Sequence, residues 1–286
     1  VLPASKAVSE SAPVWSNTIK KGGILFTNKN GEGDGKWGTA SNWSNGEVPA
    51  NDGTAEVTIK AAATISSEVN VKYLAISSTG SLTLESTAVL TADELVNNNE
   101  SSFIIKDGAQ LFHNSNNVKA SFTMGIVNPG EWNENNKTGW QFIASPFTGA
   151  AVDDFVPDYG YNYDLYRYAG SADDEEWANH KVHYQDQSWM YFNPGEGYLA
   201  SYETLKEATL SGTLNSGVTY SWENLTYSNS KELANFHLLG NPFSFDMDMT
   251  KATFNNLVNG VAVVTPAGGY DYSQTTIPVG DGFFVK

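Results

Sequence analysis

The sequence contains no cysteine. Thiolate catalysis, disulfide bonds and cysteine-based zinc or iron–sulfur sites are therefore excluded. Basic residues are also scarce, since 16 Lys and Arg stand against 32 Asp and Glu and give a formal net charge of −16. That field repels polyanions, so nucleic acid and anionic membrane surfaces are poor partners. The acidity is typical of a surface protein that stays monomeric, and cation binding is the alternative explanation.

Long hydrophobic runs are missing as well. No apolar run approaches the roughly 18 residues that a membrane-spanning helix requires, so we predict no transmembrane segment. Long helical patterns are scarce, whereas 26 Gly, 10 Pro and 13% aromatic residues are typical of short strands joined by turns. The 286 residues suffice for one large or two ordinary domains. The chain starts at Val1 rather than Met, which suggests a processed chain without its export signal.

Apolar and polar residues alternate in short runs over residues 55–126. A period of two indicates half-buried strands. Turn residues separate the runs, and "STGSLTL" is echoed by "KDGAQLF", which places Gly80 and Gly108 at a solenoid-like spacing of 28 residues. The residues expected in the core are Ile65, Leu74, Ile76, Leu82, Leu84, Leu95, Ile104 and Leu111.

Two folds fit this alternation, a parallel solenoid and an antiparallel sandwich. The asparagine-rich turns "VNNNE" and "HNSNN" favour a short right-handed parallel β-helix, because asparagine tolerates left-handed backbone conformations. Trp37 and Trp43 lie just before this region in a glycine-rich segment. We predict that they cover an exposed end of the core, with a sugar-stacking platform as the alternative.

One phrase occurs twice in the second half of the chain. "GWQFIASPF" (residues 139–147) aligns with "NFHLLGNPF" (residues 235–243) at an offset of 96. "YDLYRY" then corresponds to "GVAVVT", and "PGEGYLAS" corresponds to "VGDGFFVK". Three elements in the same order predict an internal duplication, which we interpret as a duplicated antiparallel β-sandwich.

The repeated phrase has a local physical explanation. Its proline cannot donate a hydrogen bond to a neighbouring strand, so the strand must end there. Ser145 and Asn241 precede the two prolines and can bond nearby backbone groups to hold the turn. Phe147 and Phe243 are expected to fold back onto the core. The predicted all-β organisation is a linker with a first strand over residues 1–30, a β-solenoid domain over 31–127 and the duplicated sandwich over 128–286.

The ordered motifs resemble a known group of modules. "GKWGTASNWSNGEVP", "DGAQL", "GWQFIASPF", "YDLYRY", "GEGYLAS", "SGTLN", "LLGNPF" and "GDGFFVK" together look like modules of large cell-surface and secreted proteins of the Bacteroidota. In such proteins the modules follow adhesin-like or repeat regions and precede a sorting or anchoring segment. The resemblance implies an extracellular, all-β, non-catalytic module, and it carries no catalytic residues to transfer.

Paired carboxylates are the first candidates for chemistry. Asp153 and Asp154 follow the first corner, and Asp246 and Asp248 follow the second. Carboxylates on facing loops could share a Ca²⁺ or act as acid and base in glycoside hydrolysis. Solvated loop acids are the simplest interpretation, because the sequence signals neither a cleft nor a raised pKa. Calcium is the one cofactor that the sequence suggests.

Histidines and nucleophile motifs give weaker signals. His180 and His183 form an HxxH pair, but the pattern of "HKVHYQ" predicts an extended strand. An odd spacing on a strand directs the two rings to opposite faces, which argues against a shared zinc ion. Nucleophile elbows, phosphate loops and dinucleotide motifs do not occur in a usable context. We therefore predict that the chain is not an enzyme.

Aromatic residues concentrate in "DEEWANHKVHYQDQSWMYF". Such rings mostly pack on a half-exposed sheet, but Trp177, Trp189 and Tyr191 are candidates for stacking on a glycan. Two functions follow. The first is an extracellular structural or adhesion module at a bacterial cell surface, whose partner would be a glycan or a host or matrix protein. The alternative is a carbohydrate-binding module of a polysaccharide-use system.

Overall fold

The structure is a computed structural model and describes residues 23–128, 130, 132–133, 136–156, 162–168, 176–223, 225, 233, 235–255, 260–265, 267 and 269–286. The first strands are β1 (Ile24–Phe26), β2 (Glu56–Ile59), β3 (Ala62–Ile65), β4 (Glu68–Ile76), β5 (Ser81–Leu84), β6 (Val89–Val96), β7 (Phe103–Lys106), β8 (Gln110–His113) and β9 (Lys119–Gly125). They are followed by β10 (Trp132–Asn133), β11 (Asn136–Lys137), β12 (Gln141–Ala144), β13 (Phe147–Thr148), β14 (Tyr163–Tyr168), β15 (Trp177–Asn179), β16 (Gly197–Tyr202) and β17 (Glu207–Leu214). The last are β18 (His237–Gly240), β19 (Met247–Asp248), β20 (Val263–Val264), β21 (Tyr270–Asp271), β22 (Thr276–Ile277) and β23 (Gly282–Val285).

Helical structure within the described residues is limited to single turns. The α-helices are α1 (Val152–Phe155) and α2 (His180–His183), and 3-10 turns occur at Asn28–Gly31, Ala40–Asn42, Glu100–Ser102, Gln187–Trp189 and Met249–Lys251. None of the helices in the described part of the chain has the length and apolar character needed to cross a bilayer. The predicted all-β class is confirmed.

The first half of the fold is a parallel β-solenoid of about three turns, as predicted. From β2 onward, successive strands alternate between two sheets: one has the order β1-β2-β4-β6-β8, and the other contains β3, β5, β7 and β9 as consecutive neighbours. All pairings among these strands are parallel. Because side chains alternate along each strand, every coil directs a row of apolar residues inward, and the rows merge into one core.

The predicted core is correct at every position except Ile104. Ile65, Leu74, Ile76, Leu82, Leu84, Leu95 and Leu111 are buried. Ile104 is only partly buried, because β7 places Phe103 and Ile105 inside. Three consecutive apolar residues leave the inward face undecided, and the pairing of Leu82 with Phe103 decides it.

The predicted spacing of 28 residues is not the structural repeat. Stacked residues are 21 positions apart where Leu74 pairs with Leu95. Gly80 precedes β5, whereas Gly108 precedes β8, and these strands belong to different sheets. The two glycine turns therefore lie at corresponding corners of opposite sheets, which made them look equivalent in sequence.

Trp37 and Trp43 close the first end of the solenoid, as predicted. Both are nearly fully buried. The Trp43 ring makes edge contacts with Phe26 at 5.0 Å and with Trp37 at 4.7 Å between ring centroids. The Trp37 N–H donates to the carbonyl of Thr64 at 2.9 Å, which joins this loop to β3, the outermost strand of its sheet.

Segments from much later in the chain close the other end. β17 pairs antiparallel with β9 and continues that sheet to β13. The edge of β8 is covered by Ser244, whose carbonyl accepts a bond from the Leu111 N–H at 2.8 Å and whose hydroxyl donates to the Leu111 carbonyl at 2.8 Å. The Phe245 ring stacks on Phe112 with centroids 4.6 Å apart. Both terminal strand edges of the solenoid are thus occupied.

The two copies of the repeated phrase form the same strand pair. In the first copy β12 pairs antiparallel with β16, with Ala144 opposite Gly197. In the second copy β18 pairs antiparallel with β23, with Gly240 opposite Gly282. The sequence alignment makes these pairs equivalent. The first copy is extended into a four-stranded sheet, β12-β16-β14-β15, whereas the second is flanked by the separate pairs β19–β22 and β20–β21.

The copies also contact each other reciprocally. The Ala144 N–H donates to the Gly280 carbonyl at 2.6 Å, and the equivalent Gly240 N–H donates to the equivalent Gly195 carbonyl at 2.9 Å. Two isolated antiparallel bridges follow the same reciprocal pattern. One joins Ile143 to Asp281, and the other joins Leu239 to Glu196. The same surface is therefore used twice, as in the interface of a twofold-symmetric dimer.

Candidate functional site

Each copy turns at a buried polar residue that precedes the proline. In the first copy the Phe147 N–H donates to Ser145 Oγ at 3.1 Å. In the second the Phe243 N–H donates to Asn241 Oδ1 at 2.9 Å. Asn241 Nδ2 also lies 3.0 Å from each of three backbone carbonyls, those of Phe245, Ile277 and Pro278. The predicted turn-holding role is confirmed, and both phenylalanines are buried.

Glu196, the acid of the first Gly-acid-Gly turn, is held by a cation. Arg167 Nε lies 2.8 Å from Glu196 Oε1. Asn193 Nδ2 and the Tyr198 hydroxyl donate to Glu196 Oε2 at 2.6 and 3.1 Å. Burial, reinforced by the Glu196 carboxylate, raises the pKa of Tyr198. The pair is largely shielded from water and fixes the turn to β14.

Trp189, a predicted glycan-stacking residue, belongs to this buried group. It is 3% exposed. The Arg167 guanidinium lies over its ring at 4.6 Å from the centroid, and the His180 ring meets its edge at 5.3 Å. These contacts place the indole in the main core.

The HxxH segment is helical rather than extended, so that part of the prediction is wrong. Asn179 Oδ1 accepts a bond from the Lys181 N–H at 2.8 Å and caps α2. His180 is fully buried, with Nδ1 2.9 Å from the Tyr163 hydroxyl. His183 instead lies near Asp186, with 3.4 Å between Nδ1 and Oδ2. The two imidazoles thus have separate partners.

Burial also lowers the pKa of His180, and the Asp153 carboxylate opposes that effect. The net shift favours the neutral His180 ring. Its hydrogen bond to Tyr163 and its contact with Trp189 connect α2 to the core beneath it.

The three predicted glycan-stacking residues are not brought together. Trp177 is half-buried and packs against Tyr168 at 5.1 Å and Phe284 at 6.1 Å, in a different cluster from Trp189. Tyr191 is 48% exposed. Of the three, Tyr191 alone offers a largely exposed ring, and glycan stacking remains a prediction.

Tyr191 belongs to an exposed apolar stretch. Val182, Tyr184 and Met190 are 69%, 46% and 52% exposed. We call these three residues and Tyr191 the 182–191 patch. Sequence analysis did not select Val182 and Met190, because a prediction of extended structure for this segment does not separate its exposed from its buried residues.

The acids predicted to bind calcium have different surroundings in the two copies. Asp153 and Asp154 are exposed in α1. Asp246 Oδ1 accepts a bond from the Val279 N–H at 3.1 Å. Asp248 accepts a bond from the Thr250 N–H at 3.0 Å and caps a 3-10 turn.

The pKa of Asp248 is lowered by the Thr250 hydroxyl and by Lys251, whose Nζ lies 3.0 Å from Asp248 Oδ2. Within the described ranges, no group of three or more His, Asp or Glu side chains is arranged to hold a metal ion. Calcium binding at these acids remains a prediction.

Sequence reasoning missed the most perturbed carboxyl group, that of Asp281. Desolvation, together with the nearby carboxylates of Asp107 and Asp246, raises the pKa of Asp281 to about 8. Asp281 is the counterpart of Glu196 in the second copy, but by strand register the position equivalent to Arg167 is Val263. The comparison of the two copies therefore contains a signal for this site. Glu196 has a basic partner, Arg167, whereas Asp281 has valine in the equivalent place.

A family model described as "Domain of unknown function (DUF8693)" matches residues 28–264. The chain belongs to this family. The match runs through the solenoid and the first copy and into the second copy. No curated protein and no solved structure matches the chain.

Proposed function

We propose that this chain is a non-catalytic structural and adhesion module displayed outside a bacterial cell, of the kind found in surface proteins of the Bacteroidota. One observation carries the proposal: segments of the same chain cover both ends of the solenoid, at Trp37 and Trp43 on one side and at β17 and Ser244 on the other. A stack closed in this way has fixed outer faces, which suits a rigid spacer or a platform that presents a binding surface.

The proposal includes a finer account of the fold. We infer that the solenoid winds right-handed, as parallel crossovers do, and that residues 128–286 form a duplicated antiparallel sandwich. The identical registers of β12–β16 and β18–β23 support the duplication. The reciprocal bonds between the copies support their packing against each other.

Adhesion can be tested with the intact chain coupled to beads. We expect saturable retention on at least one surface among immobilised glycans, mucin, collagen, fibronectin and laminin. Beads carrying the heat-unfolded chain should not be retained, because the binding surface depends on the fold. Absence of retention on every surface contradicts adhesion and leaves the spacer role. Release of reducing sugar from any of the glycans contradicts the non-catalytic assignment.

The 182–191 patch favours carbohydrate binding as a second function. Its two tyrosines lie within eight residues of each other and are both about half exposed, with Gln185, Asp186 and Gln187 between them. Aromatic faces stack on sugar rings, and amide and carboxylate groups bond their hydroxyls. A net charge of −16 favours neutral rather than acidic glycans.

A glycan array probed with three forms of the chain tests this second function. We expect Tyr191→Ala to lose binding at least tenfold relative to the wild type. Tyr272→Ala is the matched control, because Tyr272 is 66% exposed and lies outside the patch. Equal binding by both variants, or no glycan bound by the wild type, removes this function.

A further inference from the structure

The second Gly-acid-Gly turn, residues 280–282, docks on the solenoid. Gly280 has a φ of +83° and lies against β9, where a Cβ atom would be 2.5 Å from the Phe122 ring and 2.9 Å from Met124 Cε. The turn therefore fits this surface only without a side chain at that position.

Backbone groups of both copies also bond to this turn, on the side opposite the solenoid. The Ala144 N–H donates to the Gly280 carbonyl at 2.6 Å, and the Asn241 N–H donates to the Asp281 carbonyl at 2.9 Å. The backbone of Asp281 also bridges Ile143. Asp281 is thus fixed where the solenoid, the first copy and the second copy meet.

Two further carboxylates reach this junction. Asp246 Oδ1 accepts a bond from the Val279 N–H at 3.1 Å, two residues before Asp281. Asp107 Oδ2 accepts a bond from the Gly125 N–H at 3.0 Å, directly after Met124. Three separate segments therefore bring their acids to one turn.

No cation compensates these acids within the described residues. The Asp281 carboxylate has neither a hydrogen-bond donor nor a basic partner there, and the charges that act on it are those of Asp107 and Asp246. The other titratable residues on the surrounding elements are Lys106 beside Asp107, Lys119 at the far end of β9, Glu207 opposite Gly125 and His237 at the far end of β18. None of them is among the groups that shift Asp281.

The first copy shows the alternative arrangement at the equivalent position. There Glu196 is paired with Arg167, with 2.8 Å between Oε1 and Nε. In the second copy the strand register places valine, Val263, at the position of that arginine. The duplication thus contains one Gly-acid-Gly turn held by a cation and one without.

We propose that the second turn is a proton-dependent latch between the solenoid and the duplicated half. The latch is closed while the carboxyl group of Asp281 carries a proton, and it weakens as the group ionises between its two acidic neighbours. An uncharged carboxyl group is tolerated at this partly buried position, whereas a third negative charge at the junction is unfavourable.

The direction of the pH effect follows from linkage. The unfolded chain releases the Asp281 proton near its ordinary pKa of 3.8, and the folded chain releases it near 8. Between these values the folded state binds more protons than the unfolded state. The stabilising contribution is therefore complete below about pH 4 and is lost as the pH rises through about 8.

Urea unfolding of the whole chain between about pH 5 and pH 9 tests the latch. We expect the wild-type midpoint to fall with rising pH and the Asp281→Asn midpoint to stay level and exceed the wild type at pH 9. Glu196→Gln is the matched control at the repeated position. It should lower the midpoint at every pH, because Arg167 loses its partner, and should keep the wild-type pH dependence.

A fall in the Asp281→Asn midpoint as steep as that of the wild type overturns the proposal. So does restoration of the wild-type midpoint at pH 9 by millimolar calcium, because the acids would then hold a cation rather than a proton. If Asp281→Asn does not fold, Asp107→Asn replaces it. Removing the Asp107 charge lowers the pKa of Asp281, so the fall in the urea midpoint must shift to lower pH. A fall at the same pH as in the wild type contradicts the latch.

Discussion

Ala144 and Gly240 occupy the same position in the two copies and lie against each other, so close that a Cβ atom at Gly240 would be 2.5 Å from that of Ala144. Their N–H groups make the reciprocal bonds to Gly280 and Gly195. The contact between the copies therefore has room for one methyl group at its centre, and the first copy supplies it.

Gly240→Ala should destabilise the chain by about 3 kcal/mol, because the added methyl group would also lie 2.4 Å from the Glu196 carbonyl oxygen. Urea unfolding measures the change. Gly38→Ala is the control, since a Cβ atom there has nothing within 4 Å. Equal stability of the two variants would show that the copies do not pack as described.

The two corner residues should differ in their contribution to stability. Asn241→Ala leaves the Phe243 N–H and three carbonyls without their partner and should cost about 3 kcal/mol. Ser145→Ala removes the bond from the Phe147 N–H and a longer one, of 3.3 Å, to the Phe147 carbonyl, and should cost about 1 kcal/mol. Thermal and urea unfolding compare them. A larger loss at Ser145 contradicts the assignment of Asn241 as the stronger anchor.

Adjacent isoleucines in β7 provide a test of the solenoid register. Ile105 is 1% exposed, so Ile105→Ala should cost about 3 kcal/mol through the cavity that it leaves. Ile104 faces outward and its replacement by alanine should cost less than about 1.5 kcal/mol. The urea unfolding midpoints of the two variants measure this difference. A larger loss of stability for Ile104→Ala than for Ile105→Ala would mean that the strand is shifted by one residue.

His113 should resist protonation far below the usual range of histidine. Burial lowers the pKa of His113 to about 4, although its bond to the Ser115 carbonyl favours the protonated ring. Its contribution to stability is thus present above about pH 6.5 and is lost as the pH falls towards about 4. Imidazole NMR shifts across this range report the titration. A midpoint near 6.5 would show that the ring is open to solvent.

Local patterns sufficed to predict much of this fold. Alternation indicated the solenoid strands, since inward residues such as Leu74 and Leu111 are set by a period of two. The aligned phrases predicted equivalent strand pairs, which the registers of Ala144 with Gly197 and of Gly240 with Gly282 match.

Other features depend on contacts between distant residues, which no local pattern contains. Ile104 and Ile105 are indistinguishable until the neighbouring coil fixes the register. The burial of Trp189 involves Arg167, which lies on β14, whereas the helical turn at His180 has a local cap in Asn179. The environment of Asp281 depends on three segments that meet in the fold. The sequence shows only that valine stands where the first copy has arginine.

The bonds between Leu111 and Ser244 span 133 positions along the chain. A growing polypeptide that has produced every coil of the stack still carries an open strand edge until its later residues emerge. Slow, late completion of the fold is the kinetic consequence, because such distant ends must find each other before the contact stabilises either. A pause or truncation between these points during synthesis would leave an unpaired strand edge exposed to association with other chains.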